Sequence, residues 1–439
     1  MQKIYHHFWQ KHLAPHWQHY GFRKYASNIS WMLICKIVST LVSIVASVLI
    51  ARYLAPDGYG VFSAILSFVA IFNVSLFVID SVLVKKLNQE PENRNEILGS
   101  ALLVKIINNT IGFLIVLVAA LFSVNSNWTL FLIILYSSSN FGHIFGLIEQ
   151  QFQADAKNKP TAIATAAFDI IFALARIVIV LLHLNVAYII TTFVLYAFSV
   201  SIRYIILYQK HYHNITAWRI NWSIVKYFCL ASIPFSIAAL TGTVGGEIDK
   251  LILKTFADSE AVGFYTVAST LTNGWGLLLG VISVALLPAV LNAAKTNHQL
   301  FLARLKKYYS LFFYATTSLA IFTFLIAPWA IKILYGEAYS PSIALLRVTA
   351  WSIIFSYLGI VLQQVLLAEN KFKLILLFSG LGAIANILFN WILIPQIGVM
   401  GAAVSRLFCS FVPLILVLAL PILKDQRQVI WRAIFKPLS

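Results

Sequence analysis

Acidic residues are scarce in this chain: fifteen Asp and Glu stand against 32 Lys and Arg in 439 positions, and charged residues of both signs make up only 11%. That excludes an ordinary soluble globule, in which roughly a quarter of the residues are charged. Cysteine is nearly absent too. Cys35, Cys229 and Cys409 each sit in an apolar stretch with no partner in view, so no disulfide framework is expected and they read as packing residues. The N-terminus lacks a short apolar core followed by a small-residue cleavage site, so no removable signal peptide is expected there. The chain has no G-x-x-x-x-G-K-[ST] loop and no H-E-x-x-H pair, which removes the ATP-driven and zinc-hydrolase readings. The histidines at 6, 7, 12, 16 and 19 fit no ligand spacing. The expectation is therefore a non-enzyme without metal or cofactor.

What is present is apolar sequence, 60% of the chain, with a mean hydropathy of +0.84. Continuous hydrophobic runs of about 20 residues each suffice to cross a bilayer as helices, and their lack of alternation excludes a β-barrel. Twelve such segments are expected, near 29–51, 61–83, 97–122, 129–149, 161–182, 186–208, 227–257, 262–288, 308–333, 342–367, 374–394 and 401–423. The fold class is thus an all-α membrane protein with twelve transmembrane helices in two pseudo-symmetric six-helix lobes.

Basic residues set the orientation, because short loops rich in Lys and Arg stay in the cytoplasm. The N-terminal arm, the loops bearing Lys85, Lys86 and Arg94, then Lys157 and Lys159, then Lys210, Arg219 and Lys226, and the tail with Lys424, Arg427 and Arg432 all fall on one side. The opposite loops, "SVNSNWT", "HLNV" and "PQIGVMG", carry no Lys or Arg. Both termini are expected in the cytoplasm, and the net charge of +17 reflects topology rather than a nucleic-acid partner. The expected organisation is a cytoplasmic interfacial arm (1–28), an N-terminal lobe (29–208), a cytoplasmic linker (209–225), a C-terminal lobe (226–423) and a basic cytoplasmic tail (424–439).

The two halves resemble each other. "APDGYGVFSAI" and "SEAVGFYTVA" align with Gly60 on Gly263 and Phe62 on Tyr265, and Gln150 and Gln151 match Gln363 and Gln364. Six-helix halves repeated in this sense commonly enclose a central substrate path.

Charges inside membrane segments are costly and tend to face a cavity or a partner. The cations are Lys36, Lys105, Arg176, Lys250, Arg347 and Arg406, and the acids are Asp169, Glu247 and Asp249. The cations predominate, which suits an anionic ligand such as a phosphate. Asp80 and Arg203 read instead as groups at helix ends. Within "TGTVGGEIDKLILKTF", Glu247 and Lys250 share a helical face as a self-neutralising pair, while Asp249 points elsewhere, unpaired, and is the candidate for proton coupling or gating. Asn108 with Asn109, and Asn386 with Asn390, read either as cavity lining or as interhelical hydrogen bonds.

Several motifs carry a family resemblance. Leu334 to Gly336 with Tyr339 form a Leu-Tyr-Gly-x-x-Tyr turn; Asn386 and Asn390 precede "LIP" at Leu393 to Pro395; Gly398, Gly401, Ala402 and Ala403 follow. "EIDKLILKTFADSEAVGFYTVAS" and "ARYLAPDGYGVFS" add to the pattern. Nearly the whole chain after residue 24 resembles the Wzx-type polysaccharide and O-antigen repeat-unit flippases of the multidrug/oligosaccharidyl-lipid/polysaccharide exporter superfamily. The resemblance implies a V-shaped cavity between two lobes in a bacterial cytoplasmic membrane. It also implies a polyprenyl-diphosphate-linked oligosaccharide as substrate, membrane lipid as surroundings, and proton or sodium as coupling ion. Twelve segments rather than fourteen argue against the peptidoglycan-precursor branch. The competing readings are an ion-coupled small-molecule or drug antiporter on the same fold, and a membrane polymerase or ligase, which the short outer loops disfavour.

Overall fold

Helix is the regular structure of residues 20–73, 77–212, 214–369 and 371–435, the residues that this computed structural model describes. The N-terminal arm before residue 20 and the last residues of the tail lie outside them. In the first half the helices are α1 (Tyr20–Phe72), α2 (Asp80–Gln89), α3 (Arg94–Ser123), α4 (Asn127–Ser137), α5 (Ser139–Gly142), α6 (Leu147–Ala154), α7 (Lys159–Leu181) and α8 (Val186–His211). In the second they are α9 (Trp222–Phe256), α10 (Ser259–Gly274), α11 (Gly276–Thr296), α12 (His298–Leu334), α13 (Ser342–Ala350), α14 (Ser352–Ala368), α15 (Phe372–Ile397), α16 (Val399–Ala419) and α17 (Lys424–Phe435).

Among the described residues nine stretches are long and apolar enough to cross a bilayer as they stand, and α13 with α14, bent by 41°, makes a tenth. Backbone breaks conceal the other two expected spans. Within α1, Ala55 leaves the helix at φ 55° and ψ 173°. Its neighbour Pro56 is the cause: the proline ring crowds the preceding residue out of the α region and removes a backbone donor. The eighth expected span is shared between α10 and α11. The second differs from expectation: α1 ends at Phe72, and Asp80 opens a new helix, α2, instead of ending an unbroken span.

The chain forms two compact units. One comprises the described residues within 1–47, 77–113 and 138–232, and the other those within 48–76, 114–137 and 233–439. In the first, Leu83 and Leu87 of α2, Ile97 and Leu98 of α3, Leu147 and Phe152 of α6, and Leu207 and Tyr208 of α8 share one buried cluster. The segment joining the halves of the chain is strapped onto α3. The Arg219 amide donates to the Asn95 carbonyl at 3.1 Å, and Asn221 Nδ2 donates to Glu96 Oε2 at 2.7 Å.

The second unit has its core among α12, α14, α16 and α17, around Tyr308, Tyr309, Phe312 and Leu362. Helix α17 is amphipathic: it buries Val429, Ile430 and Ala433, while Lys424 and Arg432 stay exposed. Ser310 and Tyr314 anchor it by donating to the carbonyls of Ala433 and Ile434, each at 2.9 Å. Segment 48–72 also belongs to this unit. Arg52 Nε donates to the Leu334 carbonyl at 2.7 Å, and Tyr339 Oη donates to the Ala51 carbonyl at 2.7 Å.

The repeat-related glycines of the sequence meet in this unit. A Cβ on Gly60 would lie 1.6 Å from the Ser259 carbonyl oxygen, and one on Gly263 would lie 2.1 Å from that of Pro56. Neither position has room for a side chain. Gly263→Val is therefore expected to destabilise the purified protein by about 1–3 kcal/mol or more, read as a lowered unfolding temperature in detergent. Gly242→Val, where a Cβ meets open space, serves as the comparison, and equal losses in the two variants would contradict the contact.

Candidate functional site

The last third of α9 carries the densest group of charges. Lys250 Nζ lies 2.7 Å from Glu247 Oε2, so the expected i,i+3 pair forms, and Ser67 Oγ donates to the same oxygen at 2.6 Å. Asp249, one residue before Lys250, faces the other way and is fully buried. It is not unpaired, as the sequence reading had it. The Tyr265 hydroxyl of α10 donates to Oδ2, and Asn390 Nδ2 of α15 donates to Oδ1 at 2.9 Å. Asn390 also bonds to Oδ1 of Asn386 one turn earlier, at 2.9 Å. Arg406 of α16 donates to Asn273 Oδ1, and its charge acts on both Asp249 and Tyr265.

A carboxylate out of reach of water survives only if donors replace its hydration. Four helices supply that environment, and small residues at Gly401, Ala402 and Ala403 let α15 and α16 close around it. The glycines of the motifs have backbone reasons: Gly336 and Gly398 adopt φ of 91° and 59°.

In the other unit, Lys105 of α3 pairs with Asp80 of α2 at 2.8 Å. Asp80 is at a helix end, as its sequence position implies, but as the first residue of α2 it also pairs with Lys105 and lowers the cationic surplus. Arg176 of α7 is buried, with its guanidinium 4.3 Å above the Phe193 ring of α8. Asp169 bonds to the Tyr196 hydroxyl, on which Arg176 also acts. The asparagines of α3 bond to neighbouring backbone: Asn108 Oδ1 accepts from the amide of Phe77, in the segment before α2, and Asn109 Nδ2 donates to the Asn140 carbonyl of α5, both at 3.1 Å.

One feature escaped sequence reasoning. Along α8 and just past its end, Tyr196, Tyr204, Tyr208 and Tyr212 recur at multiples of four residues, a stripe that winds slowly round the helix. Each hydroxyl is engaged. Tyr196 meets Asp169, and Tyr204 bonds to Thr165 at 2.8 Å and Glu149 at 3.1 Å. Tyr208 accepts from Trp218 Nε1 at 3.0 Å, and Tyr212 donates to Asp155 at 2.6 Å. The four-residue spacing was the available signal.

The remaining expected residues lie apart from these groups. Arg347 is exposed and sits 5.3 Å from the Phe324 ring rather than in the Asp249 cluster. The side chain of Lys36 lies outside the described residues.

These bonds differ in consequence. Tyr265→Phe strips a donor from a buried carboxylate and is expected to cost about 1.5–3 kcal/mol. Lys250→Gln weakens a partly exposed i,i+3 pair and is expected to cost about 0.5 kcal/mol or less. Thermal unfolding in detergent checks the order, and the reverse ranking would mean that Asp249 does not depend on Tyr265.

Comparison with known proteins agrees with the motifs. A family model described as "Polysaccharide biosynthesis protein" matches residues 25–294. The capsular polysaccharide biosynthesis protein CapF of Staphylococcus aureus is 23% identical over 396 residues, covering 88% of this chain and 97% of that protein. A multidrug resistance MATE family transporter of the MOP superfamily, in an inward-facing conformation, superposes with a TM-score of 0.71 at 15% identity over 89% of this chain and 94% of its own. The lipid II flippase MurJ, in an inward closed conformation, gives 0.69 at 15% identity over 92% and 90%. The chain belongs to the polysaccharide biosynthesis protein family and has the two-lobed, twelve-helix fold of the MOP-superfamily transporters and flippases.

Proposed function

We propose that this protein is a lipid-linked oligosaccharide flippase, moving undecaprenyl-diphosphate-linked sugar repeat units from the inner to the outer leaflet by alternating access. Its family membership is the observation that carries the reading. The buried polar groups supply its chemistry. Arg176, against the Phe193 ring, offers a desolvated guanidinium to a phosphate.

In this reading residues 29–208 and 226–423 act as the two lobes, joined by the linker 209–225, with both termini in the cytoplasm of a bacterium and the protein in its inner membrane. Lys36, Lys105, Arg176, Lys250, Arg347 and Arg406 are the substrate-side cations, and the polyprenyl tail stays in lipid. Asp249, Glu247 and Asp169 are the coupling or gating acids. Asp249 is the foremost of them, because any proton or sodium ion reaching it must displace Tyr265 or Asn390 and compete with the charge of Arg406.

Arg176→Gln and Lys250→Gln are expected to lower outer-leaflet exposure of the lipid-linked sugar by about tenfold or more, with protein levels unchanged, as read by surface labelling of the glycan. Full activity in both variants would remove these residues from the substrate path. The fold shared with a multidrug transporter keeps an ion-coupled drug antiporter as the second reading. Gradient-driven uptake of organic cations by proteoliposomes, with lipid-linked sugars unmoved, would select it.

A further inference from the structure

The tyrosine stripe of α8 ends in a groove of about 530 Å³ lined by Arg94, Asp155, Lys157, His211 and Tyr212. These residues come from three places in the chain. Arg94 is the first residue of α3, a helix of 30 residues whose N-terminal end carries a partial positive charge. Asp155 and Lys157 flank Ala156, which at φ 52° closes α6 in the left-handed region. The bonds Lys157 N to Phe152 O at 2.8 Å and Ala156 N to Gln153 O at 3.1 Å complete that helix stop. Alanine is a strained choice there, and the turn sets Asp155 and Lys157 side by side at the groove.

Asp155 is fully occupied with protein. Its Oδ1 takes Arg94 Nη2 at 3.3 Å, and its Oδ2 takes the Tyr212 hydroxyl at 2.6 Å. Burial, and then the bond to Asp155, push the Tyr212 hydroxyl up from its ordinary range, so it remains a donor. The cations keep capacity. Arg94 Nε is buried without a hydrogen-bond partner, and its guanidinium lies 4.8 Å from the Tyr212 ring. Lys157 Nζ is 5.9 Å from the same ring. His211 commits Nδ1 to the Leu207 carbonyl at 3.0 Å, which leaves Nε2. One carboxylate thus serves as a brace in a groove whose other charges are positive.

The groove also has an apolar neighbour. The strap that bonds through Arg219 to Asn95, the residue after Arg94, exposes Ile220 and Trp222, the latter at 71%. Exposed tryptophan beside cations is the composition of a membrane–water boundary. The basic-loop pattern puts this end of α3, α6 and α8 on the cytoplasmic side.

We infer that the Arg94–Lys157–His211 groove binds the phosphate group of a lipid at the cytoplasmic membrane surface. Two sources share that chemistry: the headgroup of an anionic phospholipid and the diphosphate of a polyprenyl-linked sugar. Arg94 and Lys157 hold the phosphate oxygens by charge-assisted hydrogen bonds, and Trp222 and Ile220 meet the chain region of the same lipid. The inference stands apart from the transport reading, because binding is measured without translocation.

The test uses the full-length protein in phosphatidylcholine nanodiscs, titrated calorimetrically with a short-chain phosphatidylglycerol and, separately, with farnesyl diphosphate. Saturable binding is expected for at least one of them. It should weaken about tenfold in Lys157→Gln and in Arg94→Gln, recover in Lys157→Arg, and decline as salt rises. A preference for phosphatidylglycerol identifies a bilayer headgroup site, and a preference for farnesyl diphosphate identifies a diphosphate site. Should Arg94→Gln fail to fold for want of the Asp155 bond, the exposed Lys157 still decides. Absence of saturable binding by both ligands, or equal affinity in wild type and Lys157→Gln, overturns the inference.

Discussion

A carboxylate closed off from water has to be surrounded by donors, as Asp249 is, and this chain repeatedly uses tyrosine as the donor, for half-buried carboxylates as well. Asp249 takes the hydroxyl of Tyr265, Asp169 that of Tyr196, Glu149 that of Tyr204 and Asp155 that of Tyr212. Tyrosine suits the task because its ring packs as an apolar body while its one hydroxyl donates. It also adds no charge of its own in a medium where every charge is costly. The bond fixes the rotation of α9, since turning it by one residue would leave the buried Asp249 without its donors.

The same chain has far more cations than acids, so carboxylates cannot neutralise them all. Aromatic rings, 14% of the residues, take part of the load. Arg176 lies over Phe193, Arg347 over Phe324, and Arg94 over Tyr212. A guanidinium over a ring face is stabilised by about 0.5–2 kcal/mol and keeps its donors for another acceptor. A guanidinium held bidentate by a carboxylate has fewer left to offer. With acids this scarce, ring faces take a share of the cations, and Arg94 uses both, its guanidinium lying by the Tyr212 ring and bonding to Asp155.

Much of the helical framework was legible in the sequence because a lipid environment admits few alternatives to continuous helix. The Ala55–Pro56 break and the Glu247–Lys250 pair were local, set by neighbours within a few positions, whereas the close glycines meet across the two halves of the chain, Gly60 against Ser259 and Gly263 against Pro56. The partners of Asp249 are not local either. Asn390 lies 141 residues away along the chain, and single-helix spacing carries no information about which face of α15 turns toward α9. Asp80 does stand at a helix end, as the first residue of α2; what its position along the chain does not show is the partner, Lys105 on α3.

The packing of segment 48–72 in the second unit has a construction of its own. Gly60 and Gly263 bring backbone against backbone with no side chains between them. Arg52 satisfies the carbonyls of Leu334 and Ile333, which α12 leaves open at its end, and Tyr339 does the same for Ala51. Ser67 reaches Glu247. Contacts of this kind bury little flexible side chain, so forming them costs little rotamer entropy, and each hydrogen bond contributes only about 1 kcal/mol net. Apolar burial frames this contact: Tyr59, Phe62, Ile65 and Phe68 are buried, the Tyr59 ring meets Tyr339 edge-on at 6.4 Å, and Ala64 packs against the cluster of Leu253, Val262 and Tyr265. The glycines set how closely the backbones approach, and the apolar side chains around them supply most of the stabilisation.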